Sequence, residues 1–186
     1  HDEGAAGVRD AALLGILFGC GPRRAEVVTI DIGKINFGDR SIKVIGKGNK
    51  EREISVSDAM LEALKRYRLS RGLPALPAPG ESSPLIHKTR GKGGITSTRQ
   101  IRSIVQQCFD MAAAKMQADG FTEDAERLGD ATVHWLRHTG ISEDVKHRPR
   151  EHVRDDAGHG SSAVTDRYID VERAERHASA RDKLIR

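Results

Sequence analysis

Six side chains in this 186-residue chain have the types and the order needed to attack a phosphate. His134-x-x-Arg137 sets an imidazole and a guanidinium three positions apart, which on a helix puts both on one face. Gly158-His159 follows, and Tyr168 lies nine residues after His159. An unbroken helix of that length would turn His159 and Tyr168 to opposite faces. Gly158, Gly160 and the Ser161-Ser162 pair interrupt any such helix and allow the chain to fold back. A phenol nucleophile beside two imidazoles and a guanidinium points to attack on an anion, most naturally a phosphate. Upstream, Arg23 and Lys47 offer two more cations to the same target.

Each of these residues has a plainer reading when taken alone. Arg23 and Arg24, after the Gly21-Pro22 turn, could be exposed arginines, although two cations at a helix start oppose the dipole and favour an external anion. Glu26 can steady them by an ion pair. Lys47, in GKGNKER, sits in ordinary turn chemistry. A phosphate-cradling P-loop is excluded there, because G-x-x-x-x-G-K-[ST] is absent and strands follow. His134 and His138 have zinc-ligand spacing, but no H-E-x-x-H and no nearby cysteine completes a site. No metal is therefore expected, and His138 reads as a structural hydrogen-bonding residue. Trp135 and Leu136 are expected in the core.

The elements that must position these groups follow from periodicity. Residues 8–19 carry apolar side chains at helical spacing and end on Gly19, so they form a buried helix. A second helix is expected over 23–30, with Pro22 in its first turn. Between 32 and 56 the pattern alternates: IGKINF, SIKVIG and REISV read as a three-stranded antiparallel sheet with turns at Gly38-Asp39 and at 46–50. Ser57 or Asp58 can cap a helix over 58–71. Residues 72–84 hold four of the six prolines and form a long connection. Leu85-Ile86 reads as a short extended piece and 90–94 as a flexible basic loop. A helix over 97–118 presents Ile101, Ile104, Val105, Cys108, Phe109, Ala112 and Met116 as its apolar stripe. Residues 119–131 read as polar and less regular. The helix bearing His134 starts near Thr132, and a charged helix is expected over 170–184.

Composition narrows the partners. Lys and Arg number 31 against 27 Asp and Glu, a net charge of +4 that permits nucleic-acid binding without proving it. Aromatic residues make up 4%, too few for a base-stacking single-strand platform, so backbone contact to a duplex is the easier fit. The length allows one domain with a real core. Cys20 and Cys108 lie in apolar helical patterns and read as reduced core residues. No membrane span or signal peptide is visible, so a cytoplasmic protein is expected.

The whole order, Arg…Lys…His-x-x-Arg…His…Tyr, resembles the tyrosine recombinase family, the phage integrases. The resemblance rests on GPRRAE at Arg23, VIGKGNKERE at Lys47, HWLRHTG at His134 and Arg137, and AGHGSSAVTDRY from His159 to Tyr168. It covers residues of about 8 to 180 and implies an α+β, mostly helical catalytic fold around a small three-stranded antiparallel sheet. It also implies the family's roles for Arg23, Lys47, His134, Arg137, His159 and Tyr168. Tyr168 would attack a DNA phosphodiester to give a 3′-phosphotyrosyl bond, with His134 taking its proton and Lys47 protonating the leaving 5′-oxygen. Arg23 and Arg137 would answer the transition-state charge and His159 would donate a further hydrogen bond, with no metal, cofactor or ATP. Arg24, Lys50, Arg52, Arg90, Lys92 and Arg99 are the further cations expected to meet double-stranded DNA. A monomer in the free state and a tetramer on DNA are expected.

The chain departs from the family pattern at Pro22, where an aliphatic residue is usual, and at Ala157, where Leu is common and packing should be looser. Family members also carry an N-terminal domain that clamps the other face of DNA. The chain, residues 1–186, is therefore expected to be the single catalytic domain of a longer integrase. Two rivals of related chemistry remain, a type IB topoisomerase and a metal hydrolase, along with a third of another class, a catalytically silent DNA-binding module. Strand exchange, resistance to EDTA and a trapped covalent adduct, respectively, would exclude them.

Overall fold

The computed structural model describes residues 4–19, 21–46, 49–88 and 91–158. Among these, seven α-helices surround one small sheet: α1 Ala5–Gly19, α2 Arg24–Val27, β1 Ile35–Asn36, β2 Ser41–Ile45, β3 Glu51–Ser55, α3 Asp58–Ser70, α4 Thr98–Ala118, α5 Thr122–Gly129, α6 Val133–His147 and α7 Arg150–Ala157. The mostly helical class and the three-stranded antiparallel sheet are as expected, in the order β1-β2-β3.

The centre of the fold is the apolar face of α1. Leu13, Ile16 and Leu17 are almost wholly buried, and they share one cluster with Leu64 of α3, Ile101 and Val105 of α4, and Ile42, Val44 and Ile54 of the sheet. Each such side chain contributes about 1.5–3 kcal/mol relative to an exposed one. Ser57 caps α3 by accepting from the Met60 N–H at 3.3 Å, Ser97 caps α4 through the Arg99 N–H at 3.2 Å, and Thr132 caps α6 through the Trp135 N–H at 3.4 Å. In the sheet Ile42 faces Ile54 and Val44 faces Arg52. Alternation therefore places Arg52 on the same, inward face as Ile54.

Several boundaries differ from the sequence reading, each for a visible reason. The helix expected over 23–30 is only the four residues of α2. Its continuation, Val28-Thr29-Ile30, is β-branched throughout and turns away, with Leu85 N–H donating to the Ile30 carbonyl at 3.3 Å. Pro22 lies outside α2, ahead of the extended N-cap Arg23. The first strand shortens to Ile35–Asn36 because Ile32–Lys34 form a 3-10 turn, and the Ile32 N–H donates to Ser83 in the returning connection. That connection is held by Arg68, which forks onto Glu81 at 2.9 and 3.0 Å and donates to the Pro74 carbonyl at 2.8 Å. Residues 119–131 are not irregular: α5 lies there and packs on α4 through the buried Ala125. The α4 stripe ends sooner than expected, since Ala112 is exposed. Trp135 is 46% exposed, with its ring edge-on to Phe109 at 5.9 Å, whereas Leu136 is buried as expected. Ala157 is buried with Ile141 and Val153. Cys108 is half-buried against the core, and burial, aided by Asp10, pushes its thiol up. Cys20 and the helix expected over 170–184 lie outside the described residues.

Candidate active site

The site is assembled from two short stretches that α1 brings together. Gly21, at φ +58°, turns the chain out of α1, and Pro22 and the extended Arg23 lead into α2. Arg23 donates its backbone N–H to Glu26 Oε2 at 2.6 Å and its Nη1 to Oε1 at 3.2 Å. Glu26 itself is only 3% exposed. Burial works to raise its carboxyl pKa, but the Arg52 fork, at 2.5 and 2.9 Å, and the two Arg23 donors outweigh it and hold the group below its usual range. The carboxylate is thus a fixed anion that orients two arginines.

Helix α6 supplies His134 and Arg137, three residues apart on one face as their spacing predicts. The helix lies so close to α1 that a Cβ at Gly140 would run into the Phe18 carbonyl oxygen. That approach leaves Arg137 9% exposed, with Nη2 donating to the Ala157 carbonyl at 2.7 Å. One turn beyond His134, His138 brings its Nε2 to 2.6 Å from His134 Nε2. Such a contact requires one of the two nitrogens to be unprotonated. Burial, with the nearby His134 and Arg137, pushes the His138 imidazole below its usual range.

Arg23, Arg24, His134 and Arg137 line one open cleft of about 470 Å³, together with Pro22 and Thr98. Three guanidinium groups and an imidazole facing one space make a site for an anion. A more enclosed cavity of about 170 Å³, beside Leu13 and Ile30, is apolar-lined in the main and carries none of these groups.

Helix α7 closes the arrangement. Its last carbonyls, unpaired within the helix, each accept from an arginine: Asp156 O from Arg52 Nε at 3.1 Å, Ala157 O from Arg137 Nη2 at 2.7 Å, and Gly158 O from Arg23 Nη2 at 3.3 Å. Gly158, at φ +64°, is the left-handed residue that ends the helix.

The remaining expected residues divide into three groups. Lys47, His159, Tyr168 and Arg90 lie outside the described residues. Lys50, Lys92 and Arg99 are exposed, as is Arg24 at the cleft. The Lys50 carbonyl accepts from the Gly46 N–H at 2.8 Å, pairing the residues that flank β2 and β3. Arg52 stands apart from the exposed cations: its side chain is 14% exposed, forked onto Glu26 and donating to the Asp156 carbonyl. Alternation within REISV, which puts Arg52 in line with Ile54, was the signal for this. Tyr67 is 2% exposed and its hydroxyl accepts from the His87 N–H at 3.0 Å, so it is a core residue. Among the described residues no three His, Cys, Asp or Glu side chains converge, and no helix is long and apolar enough to cross a membrane.

Comparison with known proteins places this fold and its cationic cleft in a family. The chain matches the phage integrase family over residues 1–175, and it belongs to that family. It is 33% identical over 167 residues to the tyrosine recombinase XerC of Rhodospirillum centenum, covering 89% of this chain and 43% of the relative. With the XerC of Herpetosiphon aurantiacus it shares 30% over 173 residues, covering 91% and 50%. The chain thus spans about half the length of the curated relatives it matches. The fold is similar to that of XerA recombinase, with a TM-score of 0.64 at 18% identity, covering 98% of this chain and 60% of that one. It is also similar to XerH bound to a palindromic difH substrate in a post-cleavage complex, with a TM-score of 0.65 at 21% identity, covering 95% and 46%.

Proposed function

We propose that the chain cleaves and rejoins double-stranded DNA by transesterification, as the catalytic domain of a site-specific recombinase. The observation that carries this is the convergence of Arg23, Arg24, His134 and Arg137 on one cleft. Family membership supports it, as do similarly folded recombinases solved with their DNA substrates, among them XerH on difH and the Tn1549 integrase on a circular intermediate.

In this reading the Tyr168 hydroxyl attacks the phosphorus of a phosphodiester. An O–P bond to tyrosine forms as the bond to the 5′-oxygen breaks. At neutral pH only about one in a thousand ordinary tyrosines is ionised, so a base must take the proton. His134 is that base, with the His138 ring against its own. Lys47 returns a proton to the departing 5′-oxygen. The phosphorane carries more negative charge than the ground state. Arg23 and Arg137 are fixed by Glu26 and by the α7 carbonyls before the reaction starts, so they meet that charge with little reorganisation. His159 adds a hydrogen bond. The phosphotyrosine conserves the bond energy, and a 5′-hydroxyl of another strand reverses the step, so ATP is not consumed. Guanidinium charge supplies what a bound cation supplies in metal-dependent transfer. The domain acts as a monomer in free solution and as part of a tetramer on DNA, within the cytoplasm.

A nicked suicide duplex tests the proposal. The chain should form a covalent adduct that resists EDTA. Arg137→Lys should keep DNA binding but lose about 10²–10³-fold in the rate of adduct formation, since an ammonium cannot reproduce the guanidinium's two directed donors. Full activity in Arg137→Lys would contradict the role given to the cleft.

A further inference from the structure

The Arg52–Glu26 pair touches every stretch that the sequence marks for chemistry upstream of Tyr168, apart from α6. Glu26 holds Arg23 through its backbone N–H and its guanidinium. A Cβ at Gly46, the residue before Lys47, would lie 3.3 Å from Arg52 Nη1 and 3.4 Å from Glu26 Oε1. A Cβ at Gly158, the residue before His159, would lie 2.8 Å from Arg52 Nε and 2.9 Å from its Cζ. Both glycines therefore seat backbone directly on the ion pair. The guanidinium spends three of its donors, two on Glu26 and one on the Asp156 carbonyl. None of the residues lining the cleft is Arg52.

We propose that Arg52 is a positioning residue, the post against which Arg23 and the backbone at Gly46 and Gly158 are aligned, and that it acts on the bound anion through Arg23 rather than by touching it. The proposal rests on reading the cleft as a phosphate site. Its chemistry is specific to arginine. One planar group must fork onto a carboxylate through its two Nη atoms and donate from Nε to a carbonyl of another element. A lysine ammonium keeps the charge but has no such fork.

The test uses the 186-residue chain, with inorganic phosphate as the probe and arginine Nε–H NMR as the readout. In the wild type, phosphate should shift the Arg23 resonance while the Arg52 resonance stays in place. A shift of Arg52 equal to that of Arg23 would overturn the proposal, and this measurement needs no variant to fold. Arg52→Lys should weaken phosphate binding about tenfold, an ordinary size for a coupled neighbour. In an Arg23→Ala background the same change should weaken it little further, because the route through Arg23 is already gone. Independent, multiplying losses would show that Arg52 meets the anion itself. Unchanged phosphate binding in Arg52→Lys would also overturn the proposal. Single-turnover cleavage separates the two readings. Phosphate coupling in a chain that cuts no DNA leaves Arg52's role standing and sinks the catalytic reading. Wild-type cleavage by Arg52→Lys sinks Arg52's role alone.

Discussion

Replacing Gly140 by alanine should destabilise the protein, although the same change in a helix normally does the opposite. Alanine is favoured over glycine within a helix by about 1 kcal/mol. At Gly140 the new Cβ would overlap the Phe18 carbonyl oxygen of α1, a backbone atom that no rotamer change can move aside. Overpacking of this kind costs about 1–3 kcal/mol, and contact with backbone belongs at the upper end. The net is a loss of about 1–2 kcal/mol. For a chain of this size, that lowers Tm by about 2–8 °C. Gly15 is the internal control: it lies within α1, and a Cβ there would have nothing within 4 Å. Gly15→Ala should raise Tm by about 2–4 °C, from a propensity gain of up to about 1 kcal/mol. The two single-methyl additions should therefore move thermal denaturation in opposite directions. Gly140→Ala should also slow adduct formation, because the helix it displaces carries His134 and Arg137. If Gly140→Ala melts at or above the wild-type temperature, the close approach of α6 to α1 is wrong, and with it the seating of Arg137.

The other predictions concern the latch on the 72–84 connection and the leaving group. The Arg68 fork, then the Ser83 hydroxyl and the Ala78 N–H, hold the Glu81 carboxyl down to about 2 from an ordinary 4.5. A depressed folded pKa stabilises above the unfolded value and is lost as pH falls through the folded one. The wild type should therefore lose stability more steeply than Glu81→Gln between pH 4.5 and about 2 in acid denaturation; parallel curves would remove Glu81 from the latch. Lys47→Ala should cleave ordinary DNA about 10²–10⁴-fold more slowly if the lysine is the proton donor. It should recover on a substrate with sulfur at the bridging 5′ position, because a thiol of pKa about 8.5 leaves unprotonated. Equal slowness on both substrates would reduce Lys47 to a phosphate contact and make Lys50 the next candidate donor.

Local patterns carried most of the architecture, and long-range contacts carried the rest. The cap at Ser57, the start of α6 near Thr132 and the core face of α1 were legible because each depends on neighbours a few residues away. His134 and Arg137 share a face for the same reason. Helix α7 escaped notice because REHVRDDA has only Val153 and Ala157 to mark an apolar face, and it is held by partners far off in sequence. Trp135 was expected in the core on hydrophobicity alone, but its helix turns it outward beside Phe109, leaving it half-exposed. The charge of Arg52 suggests a surface position, and only its place in an alternating strand points inward. The buried carboxylate that draws it inward lies 26 residues earlier. Glu26 was legible only as a neighbour of Arg23, while its role as the anchor of two arginines needed the sheet to be folded against α2.

The measurement that tests the central claim most directly is the site and chemistry of the covalent bond. The adduct trapped on a nicked duplex would be digested and its nucleotide-bearing peptide sequenced by mass spectrometry. The account predicts a single modified residue, Tyr168, joined to a 3′-phosphoryl end, with a free 5′-hydroxyl on the released strand and no adduct from Tyr168→Phe. A bond to another residue, a 5′-phosphoryl linkage, or an adduct that survives Tyr168→Phe would contradict it.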